Sequence, residues 1–273
     1  MEQLQKRKSF SVEISEPKYQ NLIAKTIQDK LVRNNVVSNI ITIVSANPSL
    51  QKCETGSILS CAFQANSLQL SLSPTLGYAY VIPYGTKAQF QIGWKGLVQL
   101  AMRSGHYKSI GVEVVREHEF KGFSAWKEPI IDMSREDLTQ PIVGYFAYFK
   151  LVSGGEKCIY WSKEKCEAHA HLYSKSYGNG SSTDKWTHQF DEMALKTVLK
   201  QLLSKWGLSS VELTAAISYD QAVIEDNGTP NYLDNAQETP KEKEATSSTT
   251  IKNKIEIQEE NSYDFTEDNG EVF

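Results

Sequence analysis

The sequence predicts an α+β fold: antiparallel β-hairpins packed with helices, a helical N-terminal segment in front and a disordered acidic tail behind. Three observations lead there. Strand-like runs come in adjacent pairs joined by short turns, not through repeated strand–helix–strand crossovers, so the sheets should be antiparallel. Runs with helical spacing stand before and between those pairs. Near Ser218 the composition turns acidic and rich in Asn, Thr and Ser. The resulting divisions are 1–44, 45–217 and 218–273.

Residues 16–44 read as helix, with Pro17 at a first helical position and Leu22, Ile23, Ile27, Leu31, Ile40, Ile41 and Val44 as apolar faces. A break is expected between Asp29 and Asn35. Asn47-Pro48 marks a turn, and Ser57 to Ser67 a helix with Ile58, Cys61, Ala62 and Ala65 on one side. The period then changes to two: Tyr78–Ile82 and Lys87–Ile92 alternate around a turn at Pro83–Thr86, a hairpin signature. Trp94 to Arg103 is a short helix, with Gly105 as its left-handed stop. Lys108 to Arg116 alternates again. A second hairpin joins Ile142–Val152 to Lys157–Trp161, and Ser162 can cap a helix running to about Leu172. Ser174 to Asp184 is a polar loop. A long helix from about His188 to Trp206 closes on Gly207.

Charge follows the same division. The 273 residues carry 29 Lys+Arg and 33 Asp+Glu, a net of −4, which by itself argues against a nucleic-acid partner. Divided at Ser218, the first part holds 25 cations and 19 anions, and the second 4 lysines and 14 carboxylates. A +6 core thus carries a −10 tail too poor in apolar residues to offset its chain entropy. No apolar run reaches the ~18 residues of a membrane span. No secretory signal is visible at the N-terminus, and four cysteines without a pairing pattern suit a reducing cytoplasm.

Motifs exclude several chemistries. Gly85-Thr86-Lys87 lacks the earlier glycine and the helix of a phosphate-binding P-loop, and neither G-x-S-x-G nor H-E-x-x-H occurs. Cys158, Cys166, His169 and His171 have no common zinc spacing, so structural or surface roles are expected. Glu119-Phe120-Lys121 has the E-x-K form of metal-dependent nucleases. Their chemistry needs an upstream Asp to share the Mg²⁺, and none lies between Lys30 and Asp132, so a solvated charge cluster is the better reading.

The basic residues give a positive signal. Lys95, Gln99 and Arg103 fall at i, i+4, i+8 on a helix whose apolar face is Trp94, Leu97, Leu100 and Ala101. On the long helix Leu195, Val198, Leu199, Leu202 and Trp206 form a core stripe. Lys196 and Lys200 border its polar face on one side and Lys205 on the other. With Lys87, Tyr107 and Lys108, these make a track for a single-stranded phosphate backbone, set against the plainer reading of solvated helix faces.

Several ordered stretches carry a family resemblance. Gly77-Tyr78-Ala79-Tyr80-Val81-Ile82-Pro83-Tyr84, then Ala88 to Ala101 (AQFQIGWKGLVQLA), then Arg103-Ser104-Gly105-His106-Tyr107-Lys108-Ser109-Ile110 closely resemble the RecT family of phage recombinases. Tyr160 to Glu164, Met193 to Lys200 and Leu203 to Gly207 look like that family's C-terminal core block. The similarity covers about residues 35–217, and nothing beyond Ser218 matches.

The resemblance implies an ATP-independent protein that binds single-stranded DNA and anneals complementary strands in phage-type homologous recombination. It implies a homo-oligomer, ring or filament, working with a 5′-to-3′ exonuclease in the cytoplasm and at the nucleoid, with no cofactor. Lys87, Lys95, Arg103, Tyr107, Lys108, Lys196, Lys200 and Lys205 are the expected DNA-binding residues, and none is catalytic. Helices within 16–44 are candidates for the protomer contact. The terminal Asp264 to Phe273, acidic with a final aromatic, resembles the tip by which bacterial single-strand-binding proteins recruit partners. That makes a host single-strand-binding protein a further candidate partner, beside the readings of a solubilising tail or one that competes for the groove. The alternatives from other classes are a metal-dependent nuclease and a passive single-strand-binding protein.

Overall fold

The computed structural model describes residues 8–174, 177–179 and 185–220, together with the backbone of two short strands beyond them. The N-terminal segment is three helices, α1 (Phe10–Glu13), α2 (Pro17–Thr26) and α3 (Lys30–Ala46). Their break falls at Ile27–Asp29, where the Asp29 carboxylate accepts from the backbone N–H groups of Leu31 and Val32 and so caps α3. A 3₁₀ turn (Leu50–Lys52) leads to α4 (Thr55–Ser67). This helix buries Ile58, Cys61, Ala62 and Ala65, the side its spacing predicted.

The end of α4 is a Schellman closure. Leu70 N–H bonds Ala65 O at 2.9 Å and Gln69 N–H bonds Asn66 O at 3.0 Å. Gln69 takes the left-handed conformation (φ 51°) where glycine is usual. Strands β1 (Ala79–Tyr84) and β2 (Lys87–Ile92) pair antiparallel, with Tyr84 opposite Lys87, so Gly85-Thr86 alone makes the turn. That turn docks on the start of α4, where Glu54 N–H bonds Thr86 O at 2.7 Å.

Helix α5 (Trp94–Arg103) ends at Gly105 with φ 75°, as expected. Strands β3 (Tyr107–Arg116), β6 (Ile142–Leu151) and β7 (Glu156–Ser162) form one antiparallel sheet in the order β3-β6-β7. Between β3 and β6 a separate hairpin, β4 (Phe120–Phe123) and β5 (Pro129–Ile131), pairs only with itself among the described residues. Next come α6 (Lys163–Tyr173), capped by Ser162 Oγ accepting from Lys165 N–H at 3.3 Å, then α7 (Lys185–His188), α8 (Phe190–Trp206) and α9 (Val211–Tyr219). The strand pair β8 (Val223–Ile224) and β9 (Pro230–Asn231) ends the described chain.

Helix α8 packs on the β3-β6-β7 sheet and on α5, while α4 covers β2. Val198, Leu199 and Leu202 of α8 are sealed with Leu97 and Leu100 of α5, Phe90 of β2 and Tyr145 of β6. Trp206 departs from its expected core place. It lies in the last turn of α8, more than half exposed, with the Lys157 ammonium 5.2 Å from its ring centre.

The boundary drawn at Ser218 cuts through α9, and Asp220 just after it is buried. Apart from the β8–β9 strand pair, the remainder of the expected tail, including Asp264–Phe273, lies outside the described residues. Among those described, no helix is long and apolar enough to cross a membrane.

Candidate nucleic-acid interface

Two close backbone approaches shape the surface that joins the first hairpin to α5. A Cβ on Gly96 would stand 2.2 Å from the Tyr78 carbonyl oxygen, and one on Gly93 2.2 Å from that of Gly77. Only glycine lets β1 lie this close to the first turn of α5. The packing opens a groove of about 740 Å³ between the end of α3, the β1–β2 hairpin, the first turn of α5, and α7 with the start of α8.

Tyr80, Gln91, Trp94, Lys95, Lys185 and Gln189 line the groove, with Ile43, Leu50 and Leu72 as apolar wall. The Trp94 indole N–H donates to Glu192 Oε2 at 2.7 Å, which fixes the ring plane. The exposed Lys95 ammonium sits 5.5 Å from that ring's centre. Burial, together with the Glu192 charge, raises the Tyr80 phenol above its ordinary value, keeping it neutral at physiological pH.

Lys196 reaches the groove from below, as part of a buried ionic triad. Its ammonium bonds Asp220 Oδ1 at 2.8 Å, Lys200 bonds Asp220 Oδ2 at 2.8 Å, and Ile92 N–H donates to Oδ1 at 3.1 Å. Lys196 is 5% exposed and Asp220 1%. Burial drives Lys196 down to about 8, against the attraction of Asp220. Burial pushes Asp220 up, but the two ammonium groups outweigh it and hold the carboxyl below its usual range. One carboxylate thus ties α8 and the end of α9 to β2.

The expected DNA-binding residues therefore divide. Lys95 is in the groove and free to meet a ligand. Lys108 and Lys205 are exposed and Lys87 is half-buried at the hairpin turn, all three outside the groove lining. Lys196 and Lys200 are committed to Asp220, which corrects the expectation of a free cationic border on α8. A helical wheel cannot reveal that a later segment returns a carboxylate to that face.

Two further residues have structural work. The Arg103 guanidinium donates to Leu68 O at 2.6 Å and Gln69 O at 3.3 Å, closing the end of α4. Tyr107 is 3% exposed, its hydroxyl donating to Leu208 O at 2.9 Å and its ring edge-on to Phe149, so it faces the core and not a base. Lys185, Tyr80, Gln91 and Gln189 were not singled out in the sequence. Lys185 borders a polar loop, and the other three lack the charge that drew attention elsewhere.

The weaker motifs also find places. Glu119 is buried and accepts from Arg116 N–H at 2.7 Å, so it is a strand-end cap and not a solvated charge. Lys121 donates to His118 O at 2.7 Å. His169 lies against Trp161 and Tyr173, His171 against Tyr177, and Cys166 is buried with its thiol pushed up to about 12.

Comparison with known proteins places this architecture. The sequence profile described as the RecT family matches residues 34–244, beyond the boundary drawn at Ser218. Protein YqaK of Bacillus subtilis strain 168 is 41% identical over 199 residues, 72% of this chain and 65% of the relative. Protein RecT of Escherichia coli K12 is 29% identical over 217 residues, 76% of this chain and 78% of that protein. The chain thus spans slightly less than two thirds of YqaK. With the profile covering most of its length, the chain belongs to the RecT family.

Proposed function

We propose that this chain binds single-stranded DNA and anneals complementary strands without ATP, in phage-type homologous recombination. The observation that carries the reading is the groove over the glycine-packed hairpin, whose lining brings together Trp94 and Tyr80 with the Lys95 and Lys185 cations. Cations neutralise phosphates and aromatic faces accept any base, a pairing that holds a strand without reading its sequence. Lys87, Lys108 and Lys205 lie beyond the groove lining and would extend a backbone track. Complementarity is then tested by the second strand, while the protein holds the first extended.

No bond is made or broken in this mechanism, so no residue is catalytic. Protomers lined along one strand, as ring or filament, lengthen the footprint. A 5′-to-3′ exonuclease supplies the strand, and a host single-strand-binding protein is the further partner proposed.

The test is annealing of labelled complementary oligonucleotides without ATP, wild type beside Lys95→Ala/Lys185→Ala. Loss of two phosphate contacts should weaken binding at all sequences and flatten the slope of log K against log salt by about 1 to 2. An unchanged slope and rate would remove the groove from the interface. Strand shortening with Mg²⁺ would point to a nuclease, and protection without faster pairing to a passive binder.

A further inference from the structure

The chain carries two exposed apolar surfaces on separate parts of the fold. The first is the β4–β5 arm and the segment after it. Phe123, Ile130 and Met133 are about half exposed there, Trp126 is 87% exposed and Leu138 68%. Among the described residues the arm pairs with no other strand; its root is held by Phe120 stacked on Tyr160, ring centres 4.5 Å apart. An isolated two-stranded hairpin is marginal in water, and an apolar patch of this kind marks a contact surface. The second surface is on α2 and α3, where Leu22 and Val32 are exposed and Leu31 is 75% exposed. Helix α3 packs on α1 and α4, whereas the arm packs at β7.

The two surfaces have opposite charge. Apart from the buried Glu119, residues 117–138, the arm with its flanks, carry Glu117, Glu128 (paired with Lys157), Asp132, Glu136 and Asp137 against Lys121, Lys127 and Arg135. On α2, α3 and the link between them, Lys18, Lys25, Lys30 and Arg33 face Asp29 alone. Counted so, the first is net −2 and the second net +3.

We infer that the β4–β5 arm of one protomer docks on the α2–α3 surface of a second copy of this chain. Because the two faces differ, the contact is head-to-tail. A head-to-tail contact repeats and gives a ring if the rotation closes and a filament if it does not. Trp126 is the anchor, since large aromatics at the centre of a contact dominate its energy. The carboxylates around it choose the basic helices over another copy's arm by charge. This rests on the strand-annealing reading, in which protomers line up on one strand, and it names the surfaces that join them.

Mixing two interface variants of the full chain tests it, with mass measured by sedimentation velocity alone and on long single-stranded DNA. Trp126→Asp spoils only the arm and Leu31→Asp only the helical surface; each site is exposed, so both should keep the wild-type melting temperature. Leu138→Asp and Val32→Asp serve as the second pair. Each variant alone should be monomeric where the wild type is assembled. An equimolar mixture retains one sound arm and one sound helical face, so it should give a 1:1 dimer and nothing longer. Wild-type assembly by either variant, a mixture that stays monomeric, or a wild type that never assembles overturns the inference. Binding to an oligonucleotide of about ten nucleotides, long enough for one protomer, is measured alongside. If the wild type fails to bind it, the annealing reading falls. If it binds while the variants assemble normally, only the arm contact falls.

Discussion

Replacing Asp220 by asparagine keeps the shape of the side chain and removes the one negative charge that Lys196 and Lys200 share. The Ile92 N–H keeps an oxygen to donate to, but two ammonium groups, one of them fully buried, lose their counter-ion. Removing one partner from a buried ion pair costs about 3–5 kcal/mol. For a fold of this size each kcal/mol moves the melting temperature by roughly 2–4 °C, so D220N should melt roughly 6–20 °C lower.

Lys196→Met acts differently, although it breaks the same contact. Asp220 keeps Lys200 at 2.8 Å and the Ile92 N–H, so no charge is stranded. Burial holds Lys196 at about 8 against an ordinary 10.5, so the site disfavours its charge even with Asp220 beside it. Methionine fills the site without that charge, and the net loss should be under about 1 kcal/mol.

The pH dependence follows in sign. A folded pKa below the unfolded one means that the unfolded chain binds more protons between about 8 and 10.5. Lys196 therefore adds stability as pH rises through that window, and its contribution is lost as pH falls through about 8. The stability difference between wild type and K196M should shift toward the wild type from pH 8 to 10.5, the tyrosines and cysteines common to both cancelling. Thermal and urea unfolding at several pH values measure all of this. A K196M protein that melts as low as D220N would refute the shared-carboxylate argument.

Three other substitutions have defined outcomes. Gly96→Ala puts a methyl group 2.2 Å from the Tyr78 carbonyl, so the hairpin must move off α5; a stability loss of more than about 2 kcal/mol is expected in urea unfolding, with the groove disturbed as well. Tyr107→Phe removes only the hydroxyl bonded to Leu208 O and should cost about 1 kcal/mol while leaving DNA affinity unchanged, as fluorescence anisotropy can show. Gln69→Gly relieves a left-handed residue at an exposed helix end and should raise stability by about 0.5–1 kcal/mol, read as a higher urea midpoint.

The sequence by itself determined the local elements and the family. Period-two runs around Gly85 and around Ser153–Glu156, and helical spacing over Trp94–Arg103 and along α8, report which side each segment buries, and burial is set within a few residues. The glycine-rich block around Gly77, Gly93 and Gly96 was legible as a pattern, though its reason, a backbone approach too close for any Cβ, appears only when hairpin and helix meet. The β4–β5 arm went unassigned because its strands span four and three residues, too short for a period to register.

Tertiary structure alone decided which cations are free. Lys95 and Lys196 sit on neighbouring helices with the same local signature of a lysine beside an apolar stripe. One faces the groove and the other is buried against a carboxylate 24 residues further along the chain. Local composition assigned that carboxylate to the tail, since Asp220 stands at the head of an acidic stretch. Charge is counted along the chain, but its effect depends on distance and burial, and only the fold sets those.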